Sequence, residues 1–77
     1  MDGPDDNPEE LKRLGRGFRA QRRAKGLSQE KLGELAGVHR NYIGQIERGE
    51  RNVKAGTLIK LARAMGVSPA KFFDLFG

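Results

Sequence analysis

The sequence predicts an all-α protein, a compact domain of five short helices in which the second and third form a helix-turn-helix. Apolar residues recur at the spacing of one helix face along most of the chain. Capping residues and glycines divide that pattern into five segments. Gly37, Val38 and His39 separate two of these segments, and a connection of this length is what a helix-turn-helix needs.

The length and composition favour a small domain that associates with a second copy. A chain of 77 residues forms one domain, and such a domain buries only about 60% of the surface that its unfolded chain exposes. Because there is no cysteine and only one histidine, neither disulfides nor a Cys/His zinc site can stabilise it, and we expect a homodimer. There is no signal-peptide pattern, and no apolar run approaches the roughly 18 residues of a membrane span. We therefore expect a cytoplasmic protein with no cofactor, metal or membrane contact.

The charge of the chain is unevenly distributed. Residues 1–10 contain five acids and no base, so removing these five negative charges from the net charge of +5 leaves +10 on residues 11–77. A segment this basic is typical of a protein with a polyanionic partner. Nucleic acid is the first candidate and an anionic membrane the second. A solvated basic surface is the alternative.

The N-terminus is predicted to be a tail followed by a capped helix. Residues 1–7 are acidic and almost free of apolar residues, so we expect a disordered tail and a single domain over residues 8–77. Asn7 can cap the first helix, Pro8 suits its first position, and Glu10 completes a capping box.

The first helix is predicted to run to about Lys25, although two glycines weaken its first half. Its inward face is formed by Leu11, Leu14 and Phe18. From Lys12 to Lys25 the helix has seven bases and no acid. Arg22 lies four residues after Phe18 and continues the apolar face, where a cation is costly unless it is paired.

The second helix is predicted to begin after Ser28, which can cap it. Gly37 can adopt the left-handed conformation that ends a helix. Gly33 has no side chain, so the third helix can cross close above it at a cost of about 1 kcal/mol in helix propensity. The apolar stripe of the second helix is formed by Leu32, Leu35 and Ala36.

The third helix has two unlike faces and completes a motif that spans about residues 28–48. Ile43 and Ile46 point inward. The opposite sector has hydrogen-bond donors and no acid, and it consists of Arg40, Asn41, Gly44, Gln45 and Arg48.

Two more helices are predicted at the C-terminal end. Thr57 caps the fourth helix and Gly66 ends it. Its inward residues are Leu58, Leu61, Ala62 and Met65. Ser68 and Pro69 start a fifth helix over residues 69–76. It holds four large apolar residues, Phe72, Phe73, Leu75 and Phe76. One monomer cannot bury all four, so we expect an exposed patch that forms a dimer interface. The alternative is that these aromatic residues close a single core.

Several short segments are shared with one family of regulators. They are Gly26-Leu27-Ser28-Gln29, Leu32, Ala36-Gly37-Val38, Ile43, Ile46-Glu47-Arg48-Gly49, Arg51-Asn52, and Leu61-Ala62 through Met65-Gly66-Val67. Together they resemble the lambda-repressor-like family of DNA-binding regulators, also called the XRE or Cro/repressor family, from about Leu14 to Phe76. The segments around Tyr42 and Arg51 look like the small controller proteins of restriction-modification systems.

The resemblance implies roles for individual residues. Arg40, Asn41 and Gln45 would contact base edges, since arginine fits the acceptors of guanine and amides fit adenine. The residues expected at the DNA backbone are Gln29, His39, Tyr42, Arg48, Arg51 and Asn52. Arg22 and Glu47 would form an ion pair that holds the fold.

Some of these residues have a second interpretation. Gln29 could be an ordinary first-turn glutamine, and Tyr42 could cover the edge of the core. His39 stands where the family usually has serine or threonine, so it could be a substitute cap. Gly44 could bring the helix close to a DNA groove or leave room for a neighbour. Val53 stands where proline is common, which predicts a looser loop before the fourth helix.

The leading hypothesis is therefore a sequence-specific transcription regulator that binds double-stranded DNA as a dimer. A two-fold dimer would place the third helices of its two subunits, the recognition helices, about one DNA turn, ~34 Å, apart on a palindromic operator. An antitoxin-type protein-interaction module with the same fold is the alternative, and a membrane-surface amphipathic protein is a third interpretation.

Gly15-Arg16-Gly17 is too short for a phosphate loop, and there is no carboxylate pair or Ser/His/Asp set, so we expect neither enzymatic activity nor a small-molecule ligand.

Overall fold

Residues 7–76 fold into five helices and no strand in the computed structural model, which describes the backbone of these residues and the side chains of residues 7–72. The helices are α1 Pro8–Ala24, α2 Gln29–Ala36, α3 Arg40–Glu47, α4 Ala55–Ala64 and α5 Pro69–Phe76. The predicted all-α fold with a helix-turn-helix at α2 and α3 is confirmed. The expected disordered tail, apart from Asn7, lies outside the described residues, as do the side chains of Phe73, Leu75 and Phe76.

The start of α1 is capped as predicted, but the capping box is not completed. Asn7 Oδ1 accepts hydrogen bonds from the backbone N–H groups of Glu9 and Glu10, at 2.9 and 3.2 Å. The carboxylate of Glu10 does not return to Asn7; it accepts a hydrogen bond from Arg13 at 2.9 Å. An arginine one turn along the helix therefore competes with the cap for this carboxylate.

The predicted caps hold for α2 and α5 and fail for α4. Ser28 Oγ and Ser68 Oγ each accept a hydrogen bond from the backbone N–H three residues later, at 2.9 and 3.1 Å. The prediction that Thr57 caps α4 is wrong, because α4 begins at Ala55. Lys54 is extended and its carbonyl already accepts the first helical hydrogen bond at 3.0 Å, without any side-chain cap.

Two glycines end helices as predicted. Gly37 has φ 71° and ψ 33° and stands directly after α2. Gly66 has φ 77° and follows the C-cap of α4, Met65. Because this left-handed conformation favours glycine, residue type fixes both of these turns.

One core joins the helices. Its fully or nearly fully buried members are Phe18, Leu32, Ile43, Ile46, Leu58, Leu61, Ala62, Met65, Val67 and Phe72. The rings of Phe18 and Phe72 meet edge to face, with centroids 6.1 Å apart and planes at 83°. Phe72 is fully buried, so its expected place in an exposed dimer patch is wrong, and the alternative of an aromatic residue closing the core holds for it.

The sequence predicted that Leu35 belongs to the inward stripe of α2, and this prediction is wrong. Its side chain is 53% exposed, whereas Leu32 and Gly33 are buried. At about 100° per residue, these two define a buried side that Leu35 faces away from. The side that the core covers is set by the crossing of α3 over Gly33 and not by the largest apolar residues.

Glycines allow α3 to pack in backbone contact with its neighbours. A Cβ at Gly33 would overlap the carbonyl oxygen of Val38, in the turn before α3. A Cβ at Gly15 would lie 2.6 Å from the carbonyl oxygen of Glu47. Both distances are too short for any other residue type without a shift of the backbone. The crossing at Gly15 also brings the end of α3 within reach of Arg22 on α1.

Candidate nucleic-acid interface

A polar concavity of about 300 Å³ lies between the outer face of α3 and the start of α2. It is lined by Gln29, Arg40, Asn41, Gly44, Gln45 and Arg48. This set contains all three residues predicted to contact base edges and two of those predicted at the DNA backbone. His39, Tyr42, Arg51 and Asn52 are not among the lining residues.

A buried ion pair supports this concavity from inside the fold. Arg22 donates from Nε and Nη2 to the two carboxylate oxygens of Glu47, at 2.6 and 3.0 Å. The side chains are only 9% and 4% exposed. Arg22 Nη1 also donates to the carbonyl oxygen of Leu27 at 2.7 Å. The predicted partners therefore meet in a fork geometry that satisfies both charged groups where water cannot.

Gln29 connects the ion pair to the polar concavity. Its Nε2 donates to Glu47 Oε1 at 3.1 Å, so the Glu47 carboxylate restrains the side-chain amide. A Cβ on Gly44 would lie 3.1 Å from Arg48 Nη1 and 3.6 Å from Gln29 Oε1. Gly44 thus leaves room for two neighbouring side chains, the second of the two interpretations given for it.

Two exposed acids, to which the sequence analysis gave no partner, form ion pairs with the two arginines that line the concavity. Arg48 donates to both carboxylate oxygens of Glu50, at 2.8 and 3.1 Å, and Arg40 lies 3.9 Å from Glu30. All four side chains are more than half exposed. The Arg48 hydrogen bonds hold the pKa of Glu50 below its ordinary value, and the same contact raises the pKa of Arg48. The opposite charges two positions apart were visible in the sequence as a signal for the Arg48 pair.

Gln45, Arg51 and Tyr42 form a second group at the edge of the concavity. Arg51 Nε donates to Gln45 Oε1 at 2.8 Å. The guanidinium carbon of Arg51 stands 5.0 Å from the centroid of the Tyr42 ring, in the range of a cation–π contact. Tyr42 is half-buried and packs against the core. The interpretation that Tyr42 covers the edge of the core therefore holds. One face of its ring also contacts the Arg51 guanidinium.

His39 occupies the cap position of α3. Its Nδ1 accepts a hydrogen bond from the backbone N–H of Asn41 at 3.0 Å. This contact requires an imidazole whose Nδ1 carries no proton. The substitute-cap interpretation of His39 is therefore realised in the structure, and the side chain remains exposed.

The residues of the polar concavity can bind an anionic surface rich in hydrogen-bond acceptors. Three amide side chains and two arginines line it, and no acid does. Arginine only donates, whereas an amide both donates and accepts. Across residues 7–72, whose side chains the structure describes, no His, Cys, Asp or Glu cluster could hold a metal ion. None of the five helices is long and apolar enough to cross a membrane.

Comparison with known proteins places this fold among DNA-binding regulators. A family model described as helix-turn-helix matches residues 18–72, well over half of the chain. Control protein C.SmaI of Serratia marcescens is 50% identical over 64 residues, which cover 83% of this chain and 76% of that protein.

Solved structures agree with this result. The restriction-modification controller protein C.AhdI from Aeromonas hydrophila superposes with a TM-score of 0.80 at 45% identity, over 84% of this chain and 94% of that one. The controller protein C.Esp1396I superposes with a TM-score of 0.79 at 30% identity, over 87% and 88% of the two chains, in a structure of its tetramer with its natural 35 base-pair operator. The predicted resemblance is confirmed, and the chain belongs to the XRE-type helix-turn-helix family that includes these controller proteins.

Proposed function

We propose that this protein is a sequence-specific DNA-binding transcription regulator that acts as a dimer on a palindromic operator, in the manner of a restriction-modification controller. The observation that carries the proposal is the polar concavity, where three predicted base readers meet without an acid among the lining residues. The operator complex of C.Esp1396I, a relative with the same fold, supports it.

The proposed division of labour follows the chemistry of the side chains. Arg40, Asn41 and Gln45 read base edges in the major groove, and a good bidentate contact gives roughly 1 to 3 kcal/mol of discrimination. The residues proposed to hold the DNA backbone are Gln29, His39, Tyr42, Arg48, Arg51 and Asn52. Backbone contacts supply affinity that depends on salt, and base contacts supply choice.

Dimerisation is proposed through the C-terminal helix α5. Because Phe72 belongs to the core, the proposed interface residues on this helix are now Phe73, Leu75 and Phe76. A regulator of this kind binds without catalysing a reaction and works in the cytoplasm, where bacterial DNA is found. The match to a family of regulators supports binding as the activity.

The proposal is tested by selecting bound sites from random DNA duplexes with the purified protein. We expect enrichment of a palindrome. Arg40→Ala should retain the fold, as measured by circular dichroism, and lose preference at one or two positions of each half-site. The outcome against the proposal is an unenriched pool, and an unchanged preference for Arg40→Ala would remove Arg40 from the readers.

A further inference from the structure

We propose that Arg51 is a positioning residue for base recognition, which sets the amide of Gln45 and makes these two residues and Tyr42 one specificity-determining unit. This inference rests on the proposed function and revises one of its assignments. It replaces the backbone contact proposed for Arg51 with the positioning of Gln45. The observation behind it is the direct hydrogen bond from Arg51 Nε to Gln45 Oε1, at 2.8 Å.

The chemistry of the pair decides how the amide is turned. A guanidinium group has only donors, and a glutamine amide has one accepting oxygen and one donating NH₂ group. Only Oε1 of Gln45 can therefore face Arg51, which directs Nε2 elsewhere. Bidentate reading of a base depends on which end of the amide donates and which accepts, so a reversed amide would read a different edge.

Arg51 is itself held in place by the ring beneath it. Its guanidinium carbon stands 5.0 Å from the Tyr42 centroid, and Tyr42 is half-buried against the core. The loop between α3 and α4, which contains Arg51, is also tied to α3, because the backbone N–H of Glu50 donates to the carbonyl oxygen of Gln45 at 2.9 Å. On its other side the loop touches α1, since a Cβ at Gly49 would lie 2.8 Å from the Cα of Lys12.

These contacts order a side chain that would otherwise be flexible. A free glutamine samples many rotamers and loses that freedom when it binds a base. In this protein the Gln45 amide is oriented before DNA binds. The conformational entropy of its side chain is therefore lost on folding and not on binding. Removal of Arg51 should therefore erase discrimination at the base pair that Gln45 reads, although Gln45 is still present.

Two other roles for Arg51 predict different results. As a phosphate contact, its loss would weaken binding to all sequences alike and lower the slope of log affinity against log salt by about 0.9. As a base reader in its own right, its loss would remove discrimination at another base pair, and the effects of Gln45 and Arg51 substitutions would add.

The experiment compares Gln45→Ala, Arg51→Met and the double variant with the unaltered protein. Each is titrated against the selected operator and against every single base-pair change within one half-site, at several salt concentrations. Arg63→Met is the matched control, since Arg63 is an exposed arginine on α4 with no ion pair to another described residue. Arg51→Lys keeps the charge without the planar fork, and thermal unfolding establishes that each variant is folded.

We expect both single variants to lose discrimination at the same base pair, by about 5-fold or more, and the double variant to lose no more than either. Arg51→Lys should lose it too, whereas Arg63→Met should keep it at every position. Uniform weakening by Arg51→Met, or an additive loss at a separate base pair, would overturn the inference while leaving the sequence preference of the unaltered protein intact. Absence of any preference in the unaltered protein would instead refute the proposed function.

Discussion

Glu47 has a single carboxylate that accepts three hydrogen bonds, two from Arg22 and one from Gln29. Its side chain is 4% exposed, so water cannot replace any of these partners. Ion pairs at this depth add little to stability as a pair, but loss of one member leaves the other charge buried and uncompensated. The same carboxylate restrains Gln29 at the polar concavity, so the fold and the candidate site share one residue.

Arg22→Met should therefore destabilise the protein far more than the loss of an exposed pair. We expect a decrease of about 3 to 5 kcal/mol in the free energy of unfolding, measured by urea denaturation. Arg13→Met is the matched control, because Arg13 pairs with Glu10 at 2.9 Å with both side chains well exposed, and it should change stability by less than about 1 kcal/mol. Equal effects of the two substitutions would show that the buried pair is not structural.

Glu47 supports the candidate interface, whereas Glu50 should oppose DNA binding there. Its carboxylate accepts two hydrogen bonds from Arg48 that a DNA phosphate would otherwise accept. A phosphate that binds Arg48 must displace this carboxylate and also approach its negative charge. Glu50→Gln should therefore raise DNA affinity several-fold, as measured by fluorescence anisotropy. Glu34→Gln is the control, since it removes the same charge from the far side of α2, where Glu34 pairs with Lys31.

The effect of Glu50→Gln should not vary with pH in the neutral range. Hydrogen bonds from Arg48 lower the pKa of Glu50 below its ordinary value of 4.5, so the carboxylate stays charged until the pH falls through that lowered pKa. The gain in affinity should thus be equal at about pH 6 and about pH 8, well above any ordinary carboxyl pKa. A gain that disappeared at the lower of these pH values would contradict the assigned pKa direction.

Helices in this protein are placed by glycines as much as by apolar side chains. Gly33→Ala would set a methyl group against the carbonyl oxygen of Val38 and should destabilise the fold, by about 1 to 3 kcal/mol for an overpacked site. Gly56→Ala is the opposite case, because a Cβ there meets nothing within 4 Å. It should stabilise α4 by about 0.5 to 1 kcal/mol. Thermal and urea unfolding of both variants measure the difference, and equal shifts would mean that α3 does not depend on Gly33.

Features that depend on a few neighbouring residues were predicted from the sequence more successfully than features that depend on tertiary contacts. Asn7, Ser28 and Ser68 were predicted as caps correctly because a cap depends on chemistry within three residues of the helix start. Thr57 failed because an extended Lys54 can begin a helix without any side-chain cap.

Tertiary contacts account for the rest of the disagreement. Gly15 was predicted only to weaken α1, and its backbone contact with Glu47 could not be read from its own segment. Leu35 was expected inside, but the crossing of α3 selects another side of α2. At the site, the outward sector of α3 followed from periodicity. The bond between Arg51 and Gln45 depends on the path of a loop, which periodicity does not describe.

As a whole, the molecule is small relative to the DNA that it is proposed to bind. Its Cα atoms span 33 × 25 × 20 Å. Two copies side by side can therefore hold equivalent helices about one DNA turn, ~34 Å, apart, which is the spacing that a two-fold dimer needs on adjacent major grooves. A single copy reaches only one half-site. Affinity for a palindrome should thus come from two linked half-site contacts.

The spacing of the half-sites tests this geometry. Insertion of about 5 base pairs between them turns the second half-site to the opposite side of the DNA, because a turn has about 10.5 base pairs. We expect the lengthened operator to bind as weakly as an isolated half-site in gel-shift titrations, since a rigid dimer cannot reach both. Sedimentation velocity without DNA should show a dimer whose population rises with concentration. Equal affinity for the original and lengthened operators would mean that two monomers bind independently, and the proposed interface on α5 would then have no part in recognition.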